Sequence, residues 1–137
     1  MELAYPPKII LAWGEAISGN NQIRDWLIKN GYPELGLFVF ALHLKQDARE
    51  WLMKKGHAAL FALIHGAEGN KEALKWLEKN QYVLLLKMAQ GADNDDKAIA
   101  WLVEKGFPDF AVIAQKIRYV KNDIESDHND VHKFSPE

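Results

Sequence analysis

Two histidines four residues apart, His128 and His132, stand among Asp123, Asp127 and Asp130. On one face of a helix such donors would suit a divalent metal. No regular pattern accompanies them to hold the spacing, and no further side chains stand by to orient the imidazoles, so no metal site is expected. Asp93-Asn94-Asp95-Asp96 offers the oxygen donors of a calcium loop but lacks the glycine and distant glutamate of an EF-hand. Those acids suit a helix N-terminus better. Nucleophiles are scarce: there is no cysteine and no threonine, and the serines are Ser18, Ser126 and Ser135. No pair of carboxylates is set in the apolar context that a general acid and base require. The expectation is a protein that is not an enzyme, with no catalytic, metal or cofactor-binding residue.

Aromatic residues carry a stronger signal. A Trp-Leu pair recurs as Trp26-Leu27, Trp51-Leu52, Trp76-Leu77 and Trp101-Leu102, 25 residues apart each time. A row of indoles can stack sugars or bases, but each Trp shares a helix face with a Leu and, in three of the four pairs, an alanine one turn earlier. Packing is the preferred reading, so Trp→Ala in a middle unit is expected to cost about 3–5 kcal/mol.

A period held without insertion or deletion means one structural unit copied along the chain. Apolar residues at Ile10, Trp13, Gly14 and Ile17 follow the i, i+3, i+4, i+7 spacing of a buried helix face. Adding 25 gives Leu35, Phe38, Val39, Leu42, then Leu60, Leu63, Ile64, Ala67, then Leu85, Met88, Ala89, Ala92, and last Phe110, Ile113, Ala114, Ile117. This helix, B, alternates with a shorter helix, A, that carries the Trp-Leu pair. Asn20 or Asn21, Asn70, and one of Asp93, Asn94 and Asp95 are the N-caps expected for A. Gly31, Gly56 and Gly106 stand where A must stop, because a left-handed residue suits glycine. Gln81 replaces that glycine in the third unit, where Asn80 is expected to take the turn. Pro6 and Pro7, Pro33 and Pro108 suit the first turn of B.

Nine helices in the order B-A-B-A-B-A-B-A-B are therefore expected. Together they make an all-α fold, a right-handed αα-hairpin superhelix, or α-solenoid, of about four and a half repeats in which each unit contacts only its neighbours. Residues 1–121 form one helical-repeat domain, and residues 122–137 a polar acidic tail expected to be disordered. Lys116, Arg118 and Lys121 fit a solvated cap at the far end. Ile9, Leu11 and Ala12 leave the first helix less protected, a candidate weak homodimer contact.

The phrase from Gly56-His57-Ala58-Ala59-Leu60 through Gly69-Asn70-Lys71-Glu72-Ala73-Leu74-Lys75-Trp76-Leu77-Glu78-Lys79-Asn80 resembles the helical part of an ankyrin repeat. The likeness covers residues 7–120 in the helices only. The β-hairpin finger has no counterpart, and the Thr-Pro-Leu-His signature is absent. The resemblance implies a short-helix repeat used as a binding surface, with B lining the concave face.

The net charge of −2 excludes a strong electrostatic case for nucleic acid; the tail carries −4 and the repeat body +2. No basic n-region opens the chain, and the longest apolar run, Leu35 to Leu42, is about half a membrane span. A cytoplasmic protein is expected.

One column departs from the pattern. Two residues beyond Phe38 and its equivalents the chain reads Glu15, Phe40, His65, Gln90, Gln115. Phe40, with Leu37 and Leu44 at helical spacing, makes a second apolar stripe, either packed under the Leu44-Asp47 turn or exposed to a partner. Leu37, Phe40, Leu44, His65 and Gln90 are the candidate contacts for an unidentified protein or peptide. The alternative is a nucleic-acid or phosphate-binding module using Lys29, Lys54 and Lys79 with Lys55 and Lys105.

Overall fold

The computed structural model describes residues 3–133. Nine α-helices and no strands are found among them: α1 (Pro7–Ile17), α2 (Asn21–Lys29), α3 (Pro33–Leu42), α4 (Gln46–Lys54), α5 (Ala58–Ala67), α6 (Lys71–Lys79), α7 (Val83–Ala92), α8 (Asp96–Glu104) and α9 (Pro108–Lys133). From α4 to α9 each start lies 25 residues after that of its counterpart in the preceding unit. The odd-numbered helices are helix B of the sequence and the even-numbered helices are helix A. No helix among the described residues is long and apolar enough to cross a membrane.

Helix boundaries follow local chemistry. Asn20 Oδ1 accepts from the Ile23 amide, Asn70 Oδ1 from Ala73 and Asp95 Oδ1 from Lys97, which caps α2, α6 and α8. Lys45, before α4, offers no such oxygen. Both kinds of turn contain one left-handed residue, again 25 apart: Gly19, Leu44, Gly69 and Asn94 in one series, Gly31, Gly56, Gln81 and Gly106 in the other. Gln81 itself holds φ 63°, while Asn80 is right-handed and spends its amide on the Trp76 carbonyl. That corrects the turn assigned to Asn80. A left-handed glutamine carries backbone strain that glycine avoids, so Gln81→Gly is expected to raise unfolding free energy by about 0.5–1 kcal/mol in urea titration. In the first series the next position is Tyr119, which lies inside α9. There the helix runs on through Lys121 to Lys133, where the sequence suggested a tail.

The core is assembled from the same register position of every unit. Trp13, Phe38, Leu63, Met88 and Ile113 are all buried, as are Ile10, Leu35, Leu60, Leu85 and Phe110 one turn earlier and Ile17, Leu42, Ala67, Ala92 and Ile117 one turn later. Trp13 meets Phe38 edge to face at 5.1 Å. Leu27, Leu52, Leu77 and Leu102 seal this core from the even-numbered helices.

Contacts between the odd-numbered helices are cyclic. Besides the successive pairs, α1 packs on α9, and α9 also touches α3 and α5. Gly14 lies so close to α9 that a β-carbon there would sit 3.1 Å from Ile113 Cδ1, and Lys116 Nζ donates to Ser18 Oγ at 2.9 Å. The expectation that each unit touches only its neighbours is thus not met. The basic residues of α9 make ties rather than a solvated cap. Arg118 donates through Nε and Nη2 to the Gly91 carbonyl and pairs with Asp96, and the buried Lys121 pairs with Asp93. At the other end Leu3 and Ile9 are buried, while Leu11 is 65% exposed. Of the residues named for a homodimer contact, Ile9 is therefore not at the surface. Tyr5 donates to Glu34 Oε2 at 2.6 Å, and burial together with that carboxylate pushes its phenol well above the ordinary range.

Candidate ligand grooves

The tryptophans stand apart from the leucines beside them. Trp26 is 47% exposed and Trp76 38% exposed, with Trp51 and Trp101 half-buried. The even-numbered helices bury only a narrow stripe around the leucine, and side chains adjacent on a helix point about 100° apart, so here the other member of each pair falls outside the stripe. Leucine holds the stripe, and the indole is left on the flank. This corrects the expectation of buried tryptophans, and with it the stability cost assigned to them.

An aromatic residue at the following turn holds each middle indole in position. Trp51 stacks on His57 with centroids 5.6 Å apart and planes 7° from parallel, and Trp76 stacks on Tyr82 at 5.7 Å and 11°. The same indoles border grooves between consecutive helices. In the second unit a groove of about 520 Å³ is lined by Leu37 and Phe40 of α3, Lys45, and Asp47, Ala48 and Trp51 of α4. In the third, about 280 Å³ is lined by Met53, by Ala58, Phe61, Ala62 and His65 of α5, and by Asn70, Glu72, Ala73 and Trp76. Subtracting 25 from Ala62, His65, Asn70, Glu72, Ala73 and Trp76 returns the lining of the second groove residue for residue. The two grooves share one register, with Met53, Ala58 and Phe61 lining the third alone.

Leu37 and Phe40 come together in the second groove, and His65 occupies Phe40's place in the third. Phe40 is only half exposed: it packs on the core and lies under the Arg24 guanidinium, 4.2 Å from the ring centroid. Leu44 is 50% exposed but belongs to the left-handed turn, outside the groove lining. Gln90 is half-buried in the fourth unit and joins neither groove. The residues that counting missed are Ala48, Trp51, Met53, Phe61, Ala73 and Trp76. Their signal was the Trp-Leu pair itself, since on a short helix that buries only a narrow stripe a Trp beside the buried Leu falls on the flank.

His65 also faces a polar anchor. Arg49 is buried on α4 and donates from Nε to the Ala41 carbonyl at 2.9 Å. Its Nη1 and Nη2 reach Glu68 at 3.2 and 2.8 Å, and Nη1 lies 3.4 Å from His65 Nε2. A guanidinium only donates, so His65 meets it with a lone pair. The bidentate pair ties α4 to the end of α5 and fixes one wall of the third groove.

Among the described residues no three His, Asp or Glu side chains are grouped to hold a metal ion. The His128, Asp130 and His132 side chains lie outside those described. His43 and His57 stand at helix ends, as C-cap of α3 and N-cap of α5. In comparisons with family models, curated proteins and solved structures, no match to this chain was found.

Proposed function

We propose that the protein is a non-catalytic interaction module of helical-hairpin units, akin to ankyrin helix pairs without the finger, that binds a peptide segment in the grooves of its second and third units. One observation carries the reading: the same apolar, Trp-walled groove is built twice in register, each time with the indole held by a stacked ring. Preorganised aromatic walls suit a binding surface, because little rotamer freedom is lost when a ligand arrives. The contact surface is then the cleft between helices B and A, with Trp51 and Trp76 joining Leu37, Phe40 and His65.

Selection of a peptide library on the immobilised protein tests this. Selected peptides are expected to shift amide and indole resonances of Leu37, Trp51, Ala62 and Trp76, and to lose at least about tenfold in affinity for Leu37→Asp or Trp76→Ala at unchanged helicity. A library that yields no binder, or binders indifferent to both substitutions, would sink the proposal. The lysine row is disfavoured as a polyanion site, because the position after Lys29, Lys54 and Lys79 is Glu104. No retention of nucleic acid at low salt is expected.

A further inference from the structure

The third and fourth units differ at two positions beside the repeated tryptophan that bear on the ligand of the third-unit groove. In the fourth unit Lys87 places its ammonium 5.4 Å from the Trp101 ring centroid, a cation–π contact made by the chain on itself. Counting back 25 turns Lys87 into Ala62, Lys97 into Glu72 and Trp101 into Trp76. The third unit thus keeps the indole, loses the internal lysine, and gains a carboxylate. Ala62, Glu72 and Trp76 all line its groove.

We propose that the third-unit groove binds a lysine side chain of a basic peptide, its ammonium seated against Trp76 and balanced by Glu72. This rests on the groove reading above and names the chemistry of its ligand. Tyr82 already holds the indole, so the aromatic surface is fixed before the cation arrives. Met53 and Phe61 supply an apolar wall for the methylene stem of the lysine. Glu72 makes no ion pair within the described residues, leaving its charge for the ligand. The second groove has Asp47 in the place of Glu72 but contains Lys45, a cation of its own, so one lysine site per chain is expected.

The test uses the full chain labelled with nitrogen-15, the Trp76 indole N–H resonance being identified by its loss in Trp76→Phe. A short Gly/Ser peptide with one central lysine and its norleucine counterpart are titrated at neutral pH and constant ionic strength. The lysine peptide is expected to move the Trp76 resonance and to bind roughly tenfold more tightly than the norleucine peptide, a preference lost in the exposed-site variant Glu72→Gln. Ala62→Lys, which copies the fourth unit, is expected to abolish binding while leaving the amide spectrum outside the groove unchanged. Equal binding of the two peptides overturns the cation site and leaves an apolar peptide groove standing. If neither moves the resonance, the lysine proposal falls, and the groove itself is judged by the library peptides.

Discussion

Alanine at Phe38 is expected to lower unfolding free energy by about 3–5 kcal/mol, whereas alanine at Trp76 costs only about 1 kcal/mol although the side chain removed is larger. Phe38 is fully buried where α3 meets Trp13, and close-packed surroundings relax only partly into the space it leaves. Trp76 already shows 38% of its surface to solvent, so its removal opens no closed cavity and forfeits chiefly the stack on Tyr82. Urea titration of the two variants measures both values. A cost at Trp76 equal to that at Phe38 would return the tryptophans to the core and remove the physical basis of the grooves.

A second large effect is expected where helices approach through glycine. A β-carbon at Gly91 would lie 2.5 Å from Ile99 Cδ1, so Gly91→Ala should destabilise by about 1–3 kcal/mol. The obstacle is the far end of a side chain, and Ile99→Ala removes it. The double variant is therefore expected to be more stable than the sum of the single effects by about 1 kcal/mol or more. At Gly36 the outcome differs. A β-carbon there meets Ile28 Cγ1 at 2.5 Å and also the Arg24 carbonyl oxygen at 2.8 Å. Backbone cannot step aside, so Ile28→Ala should restore Gly36→Ala only in part. Strict additivity in both cycles would contradict the close approach seen between these helices.

The same contacts explain a covariation within the chain. At the register of Gly91 the successive units carry Ala16, Ala41, Gly66 and Gly91, opposite Arg24, Arg49, Leu74 and Ile99. Where the second helix presents arginine, a methyl group is tolerated, and Arg49 turns its guanidinium to the Ala41 carbonyl and to Glu68. Where it presents a branched apolar side chain, the methyl group is dropped.

Element type, length and register were legible in the sequence because they are local: the 25-residue period, the Asn and Asp caps and the left-handed glycines all act within a few residues. The groove was half legible. Phe40 broke an otherwise polar column, with Leu37 at helical spacing beside it, but Trp51 and Trp76 were assigned to the core, because counting cannot tell whether one or both of two adjacent apolar residues faces inward. The cyclic contact of α1 with α9 left no local trace, since a contact between residues such as Ser18 and Lys116 depends on angles accumulated over every intervening unit. Leu44 illustrates the limit at turns. It holds a left-handed φ of 68° with no glycine or asparagine to announce it, so the absence of glycine at Tyr119 could not by itself signal that α9 would continue.

The docking of α1 on α9 also bears on how such a chain changes by duplication. In an open array a unit can be copied or lost at little cost, since each interface involves only the next unit. Here the Gly14–Ile113 approach and the Lys116–Ser18 bond require one particular accumulated rotation between the first helix and the last. One more copy of the 25-residue unit is expected to carry α1 past its partner and uncover apolar surface on both. Substitutions within units, such as Ala62 and Glu72 standing where the next unit has Lys87 and Lys97, leave that closure untouched.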